Sequence, residues 1–138
     1  IKIEEHSATY WRRYSEINLK LNFYEEAITG FQKCLALDDQ CLENFIGLSD
    51  VLSFLGEFNH AMNILIKAQR IHKNTAEVEY RLTGLFFILY KEQYAITHLL
   101  TAMKIDYDYH VVLKELYPLV YENLRIQKLL SDYKKATE

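Results

Sequence analysis

Residues 26–34 read EAITGFQKC, and residues 94–102 read YAITHLLTA. The tripeptide AIT at 27–29 returns at 95–97, and midway between them, at 61–63, stands AMN. Three alanines (Ala27, Ala61, Ala95) thus recur every 34 residues, and other columns keep the same step. Phe31, Leu65 and Leu99 follow four residues later; Cys34, Ala68 and Ala102 come three beyond, then Leu37, Ile71 and Ile105. Earlier in each row stand Tyr14, Leu48 and Leu82, followed at once by Ser15, Ser49 and Thr83. Spacings of three and four are the period of an amphipathic helix.

Each row holds two such patterns, separated by a break at Asn22, at Gly56 and at Tyr90-Lys91-Glu92. A row is therefore a helix A of about fourteen residues, a tight turn and a helix B of similar length. Helix axes approach to about 8 Å only where the side chains at the crossing are small. That places Ala27, Ala61 and Ala95 where helix B crosses helix A. It places Cys34, Ala68 and Ala102 where helix B meets the next helix A. The rows run 8–41, 42–75 and 76–109, with a partial fourth over 110–138, and the length of 138 residues suits a single domain.

Composition agrees with helices. Four glycines and one proline are too few for the turns of a strand-rich fold. With 50% hydrophobic and 25% charged residues the chain is too apolar for disorder. The net charge of −3, without a basic stripe, argues against nucleic acid. Lys67, Arg70 and Lys73 cluster near the end of a predicted helix, where cations favour the dipole. The most apolar run, LTGLFFILY at 82–90, is nine residues long, whereas a membrane span needs about 20. No signal peptide stands at the start, and Ile1 in place of Met is what an excised or processed piece would show. The cytoplasm is the expected compartment.

These columns resemble the tetratricopeptide repeat (TPR), a 34-residue helix pair. The first row carries Trp11, Ser15, Tyr24, Ala27, Phe31 and Cys34, and the second Phe45, Leu48, Ser49, Gly56, Phe58, Ala61, Leu65 and Ala68. The third keeps Leu82, Thr83, Phe86, Ala95, Leu99 and Ala102, but puts Glu79 where the family prefers a large apolar group. The proline common near the end of the unit is replaced by Asp39, Lys73 and Tyr107. In the fourth row Leu113, Leu116, Val120, Tyr133 and Ala136 stay in register, while Tyr117 and Leu129 replace small residues. Pro118 falls inside what would be helix A, where it costs about 3 kcal/mol. A short helix near 109–117, a break and a final helix near 124–135 are expected, as a cap on the array. The closing string YPLVYENLRIQKLLSDYKK is similar to the tail of some bacterial TPR proteins. The resemblance implies an all-α, right-handed superhelical solenoid of antiparallel helix pairs.

No residue pattern points to catalysis, a metal or a cofactor. His6, His60, His72, His98 and His110 share no HExxH or HxxxH spacing, and Cys34 and Cys41 match no zinc pattern. Cys34 reads as a small core residue in the alanine column, and Asp38-Asp39 as a solvated helix end.

The resemblance implies a protein-interaction module, an adaptor or scaffold, that holds a partner peptide or protein of unknown identity on the concave helix A face. The matching residues are Arg12 and Glu16 in the first row, Ile46, Asp50 and Phe54 in the second, and Tyr80, Arg81, Phe87 and Ile88 in the third. The expected anchors are Phe54, Tyr80 and Phe87, with polar register from Arg12 and Arg81. The opposing expectation for Phe87 and Ile88 is burial under the irregular fourth row. TPR domains that clamp the carboxylates of EEVD-type tails would use the positions of Arg12, Glu16, Gly47, Glu77 and Arg81. Glu16 and Glu77 would repel such a ligand. The alternatives are self-association, packing within a longer TPR array, or a regulatory region of a larger protein. RNA binding by a pentatricopeptide-type repeat agrees with neither the 34-residue period nor the net charge.

Overall fold

The computed structural model describes residues 2–138, and their side chains from His6 onward. The helix pairs fall where the 34-residue rows place them. They are α1 (Lys2–Lys20) and α2 (Tyr24–Leu37), α3 (Leu42–Phe54) and α4 (Phe58–Ile71), then α5 (Ala76–Ile88) and α6 (Glu92–Ile105). A 3₁₀ turn, Tyr107–His110, leads into α7 (Val111–Leu116), α8 (Pro118–Tyr121) and α9 (Leu124–Thr137). Among the described residues there is no strand. The chain groups into two compact units, one ending at Ile71 and one running His72–Glu138. The first holds the first two helix pairs; the second holds the third pair and the divergent tail.

Each pair turns through the same hydrogen-bonded device. Asn22, Gly56 and Tyr90 lie 34 residues apart, and all have left-handed backbones, with φ of 62°, 81° and 62°. In the first turn the amide of Phe23 donates to the carbonyl of Asn18 at 2.8 Å, and that of Asn22 to Leu19 at 3.1 Å. Glu57→Leu52 with Gly56→Ser53, and Lys91→Phe86 with Tyr90→Phe87, repeat the pattern. This Schellman motif satisfies carbonyls that the last helical turn leaves open.

In the first unit the α1–α2 crossing uses the small residues. Ser15 Oγ donates to the Ala27 carbonyl at 2.9 Å in a buried bond, and a Cβ on Gly30 would meet that same oxygen at 2.0 Å. Cys34 is fully buried, and its thiol lies 3.5 Å from the Ala8 carbonyl of α1. Helix α2 covers α3, where a Cβ on Gly47 would strike the Phe31 ring at 2.5 Å. Ala61, Leu65 and Ala68 of α4 are fully buried. A buried leucine of this kind contributes about 1.5–3 kcal/mol.

The second unit closes on its tail. Pro118 does break the fourth row, but it does so as the first residue of α8, where its missing N–H costs nothing. The chain bends at Tyr117, whose ring fills the space left by Gly84 of α5. Asn123 caps α9 by accepting from the amides of Arg125 and Ile126. Helix α9 then buries Ile126 and Leu130. The Tyr107 hydroxyl donates to the Leu130 carbonyl at 2.9 Å.

Candidate protein-binding face

In the first unit the candidate residues occupy α1 and α3. Arg12 and Glu16 are four apart on α1, and Ile46, Asp50 and Phe54 are four apart on α3, so each set shares a helix face. Arg12 ties the two helices together. Its Nε donates to Asn44 Oδ1 at 3.2 Å, and its Nη2 reaches Cys41 Sγ at 3.1 Å. Asn44 Nδ2, fully buried, has no acceptor. Burial pushes the Cys34 and Cys41 thiols above their ordinary range, although the Arg12 charge opposes it. Both remain thiols at neutral pH, and nucleophilic chemistry is not supported there. Glu16 is exposed, and Ile46 and Asp50 are half-buried. Phe54 is 71% exposed, with its ring centroid 5.0 Å from that of Tyr24.

In the second unit two candidates prove inaccessible. Tyr80 is fully buried, and its hydroxyl donates to the carbonyls of Asp106 at 2.8 Å and Tyr107 at 3.2 Å. Burial and the nearby Asp106 carboxylate push its phenol above the ordinary range, so the proton stays on the bond. Arg81 is also buried, donating to the Glu77 carbonyl at 2.9 Å. Neither side chain is open to a partner. The tail that follows α6 covers what the row alignment alone places on an open face. Phe87 and Ile88 lie between the two expectations, half-buried.

The misfit Glu79 has a partner. It is buried on α5 and contacts His98 Nδ1 of α6 at 2.5 Å. Phe86 stacks on the His98 ring, with centroids 5.1 Å apart. A carboxylate–imidazole pair thus stands where the repeat usually has an apolar contact. Other exposed groups escaped the groove reading because they lie on a different face of α1, Tyr10 and Ile17, or just past its end, Leu21. Their spacing was legible, but the row alignment directs attention to the inward positions.

Among the described residues no group of three or more His, Cys, Asp or Glu could hold a metal ion. No helix among them is long and apolar enough to cross a membrane.

No family model matches the chain, and no curated protein matches it either. Solved structures do. The structure of MamA superposes with a TM-score of 0.72 at 17% identity, over 93% of this chain and 74% of that one. The first TPR of Spaghetti (RPAP3), bound to the HSP90 peptide SRMEEVD, gives 0.70 at 15% identity, covering 96% and 94%. The TPR2B domain of yeast Sti1, in a complex with an Hsp70 peptide, gives 0.71 at 14% identity, covering 84% and 94%. The paired helices, their repeated turns and these superpositions lead to one conclusion: the chain has the all-α fold of tetratricopeptide repeat domains.

Proposed function

We infer that the chain is a non-catalytic protein-interaction module that receives a partner peptide or protein on the helix A face of its first unit. The observation that carries this reading is Phe54, a large aromatic side chain left 71% exposed at the end of α3 on the same face as Asp50 and Ile46. Burying it would release about 1.5–3 kcal/mol. Arg12 supplies the polar counterpart. Its guanidinium is held in place by Asn44 and Cys41, and donors remain for a partner's carbonyl or carboxylate. Peptides seated on such an anchor would bind at about micromolar levels, near 8 kcal/mol.

The RPAP3 and Sti1 domains hold chaperone peptides, which supports the class of function and not the ligand. An acidic chaperone tail suits this chain poorly. Gly47 is packed against Phe31, Arg81 is turned into the fold, and Glu16 stands exposed where a cation would be needed. The test is affinity capture with wild type and Phe54→Glu, the variant's fold checked by circular dichroism. A protein retained by the first and lost by the second supports the reading. Identical retention by both overturns it.

A further inference from the structure

We propose that an open hollow where α2, α3 and α4 meet is a second docking site, one for a protein segment with an apolar side chain beside acidic residues. Its floor is apolar: Leu35 of α2, Phe45 of α3, and Ile64 and Ile71 of α4. Phe45 and Ile64 are buried, Leu35 is half-buried, and Ile71 is exposed at the edge. The hollow has a volume of about 370 Å³ and opens to solvent. Ligand sites of about 300–1,000 Å³ have the same make-up, apolar walls with a few polar groups. The walls come from both helix pairs of the first unit, so the hollow is complete within that unit.

Charge selects the occupant. Lys67 and Arg70 line the hollow from α4, three residues apart and both exposed. Neither forms an ion pair among the described residues. A helix end accounts for Arg70, which lies in the last turn of α4. Lys67 stands further in, where the pull of the dipole has faded. Its neighbours three and four residues away are Asn63, Ile64, Arg70 and Ile71, none of them an acid. Asp39, just past the end of α2, is the acid of the lining. Two cations against one carboxylate leave the hollow basic, in a chain whose net charge is −3.

An open hollow covers one side of its ligand. A free small molecule would stay half in water there, whereas small-molecule sites bury most of their ligand. A protein segment fits better. It sets one apolar side chain on the floor of Leu35, Phe45 and Ile64, its chain runs on outside, and a neighbouring carboxylate reaches Lys67 or Arg70. Phe54 is not among the walls, so this site stands apart from the helix A face.

The probe is a capped, fluorescently labelled hexapeptide with a central phenylalanine flanked by glutamates. Its control has lysines in place of the glutamates. Binding to the whole 138-residue chain is read by fluorescence anisotropy at low salt. The acidic peptide is expected to bind at least about tenfold tighter than the basic one, an advantage that added salt reduces. Lys67→Glu with Arg70→Glu, both at exposed positions, should invert the preference. Asp39→Asn should tighten the acidic peptide by about two- to fivefold, a gain that a poorly folded chain would not show. Phe54→Glu should change nothing, which separates this site from the helix A reading. Equal binding of the two peptides, no binding, or indifference to the Lys67 and Arg70 reversal overturns the proposal. So does octanoate binding at these residues more tightly than the peptide, because the occupant is then a lipid-like anion.

Discussion

Helix α9 turns Ile126 and Leu130 inward and keeps Arg125, Lys128, Ser131 and Asp132 outside. Its outer surface is laced by the Lys128–Asp132 pair at 3.1 Å, and Arg125 reaches Glu92 of α6 at 2.8 Å. Helix α1 buries Ser15 and Asn18 on one side and exposes Tyr10 and Ile17 on the other, with Leu21 exposed just past its end. Helix α1 belongs to the first unit and α9 to the second. The outer side of α9 carries charge apart from Leu124, 86% exposed at its start, while that of α1 carries Tyr10 and Ile17. Contiguous exposed apolar surface marks an interaction site, whereas a polar outer face keeps an end soluble and monomeric. The proposed binding face lies in the first unit.

Truncating the buried side of α9 is the strongest way to break this contrast. Leu130→Ala or Ile126→Ala should destabilise the chain by about 2–5 kcal/mol, read from urea denaturation. Ile17→Ala on α1 should stay within about 0.5 kcal/mol, as an exposed side chain does. An Ile17 variant as costly as Leu130→Ala would mean the α1 face is already covered. Gly84→Ala should cost about 1–3 kcal/mol, since its Cβ would meet the Tyr117 ring and force the tail to shift. Tyr80→Phe should cost a comparable about 1–3 kcal/mol, because the Asp106 and Tyr107 carbonyls lose their donor.

Smaller effects sharpen the comparison. Tyr90→Gly should raise stability by about 0.5–1 kcal/mol, seen as a higher Tm, because Tyr90 holds φ of 62° with its side chain in solvent. Alkaline pH should weaken the second unit. Tyr80 and Tyr107 both have phenols held above the ordinary value of 10.0 in the fold. The folded state therefore keeps these protons longer than the unfolded chain. Their contribution is complete below pH 10 and falls as pH rises beyond it. Urea midpoints measured on both sides of pH 10 should show the loss, and Tyr80→Phe should reduce it.

The helix pairs and turns were legible because the 34-residue period repeats the packing itself. The alanine column marks Ala27 at a helix crossing, and the breaks at Asn22, Gly56 and Tyr90 are the left-handed caps. What the period misses lies where one repeat meets something that is not a repeat. Tyr80 and Arg81 align with open positions, yet the segment after α6 runs over them and takes Tyr80's hydrogen bonds. Glu79 looks like a defect in its column because its partner, His98, stands 19 residues away on another helix. On the candidate face, Arg12 and Phe54 could be placed by alignment. That Arg12 bridges α1 to α3 through Asn44 and Cys41 depends on tertiary contact, which no spacing reveals.

The most direct test of the account is amide hydrogen exchange on the chain alone and with a protein captured by the wild type. Added protection in α1 and α3, with α9 unchanged, is the result the account predicts. Protection confined to α9, or none in the first unit, would contradict it.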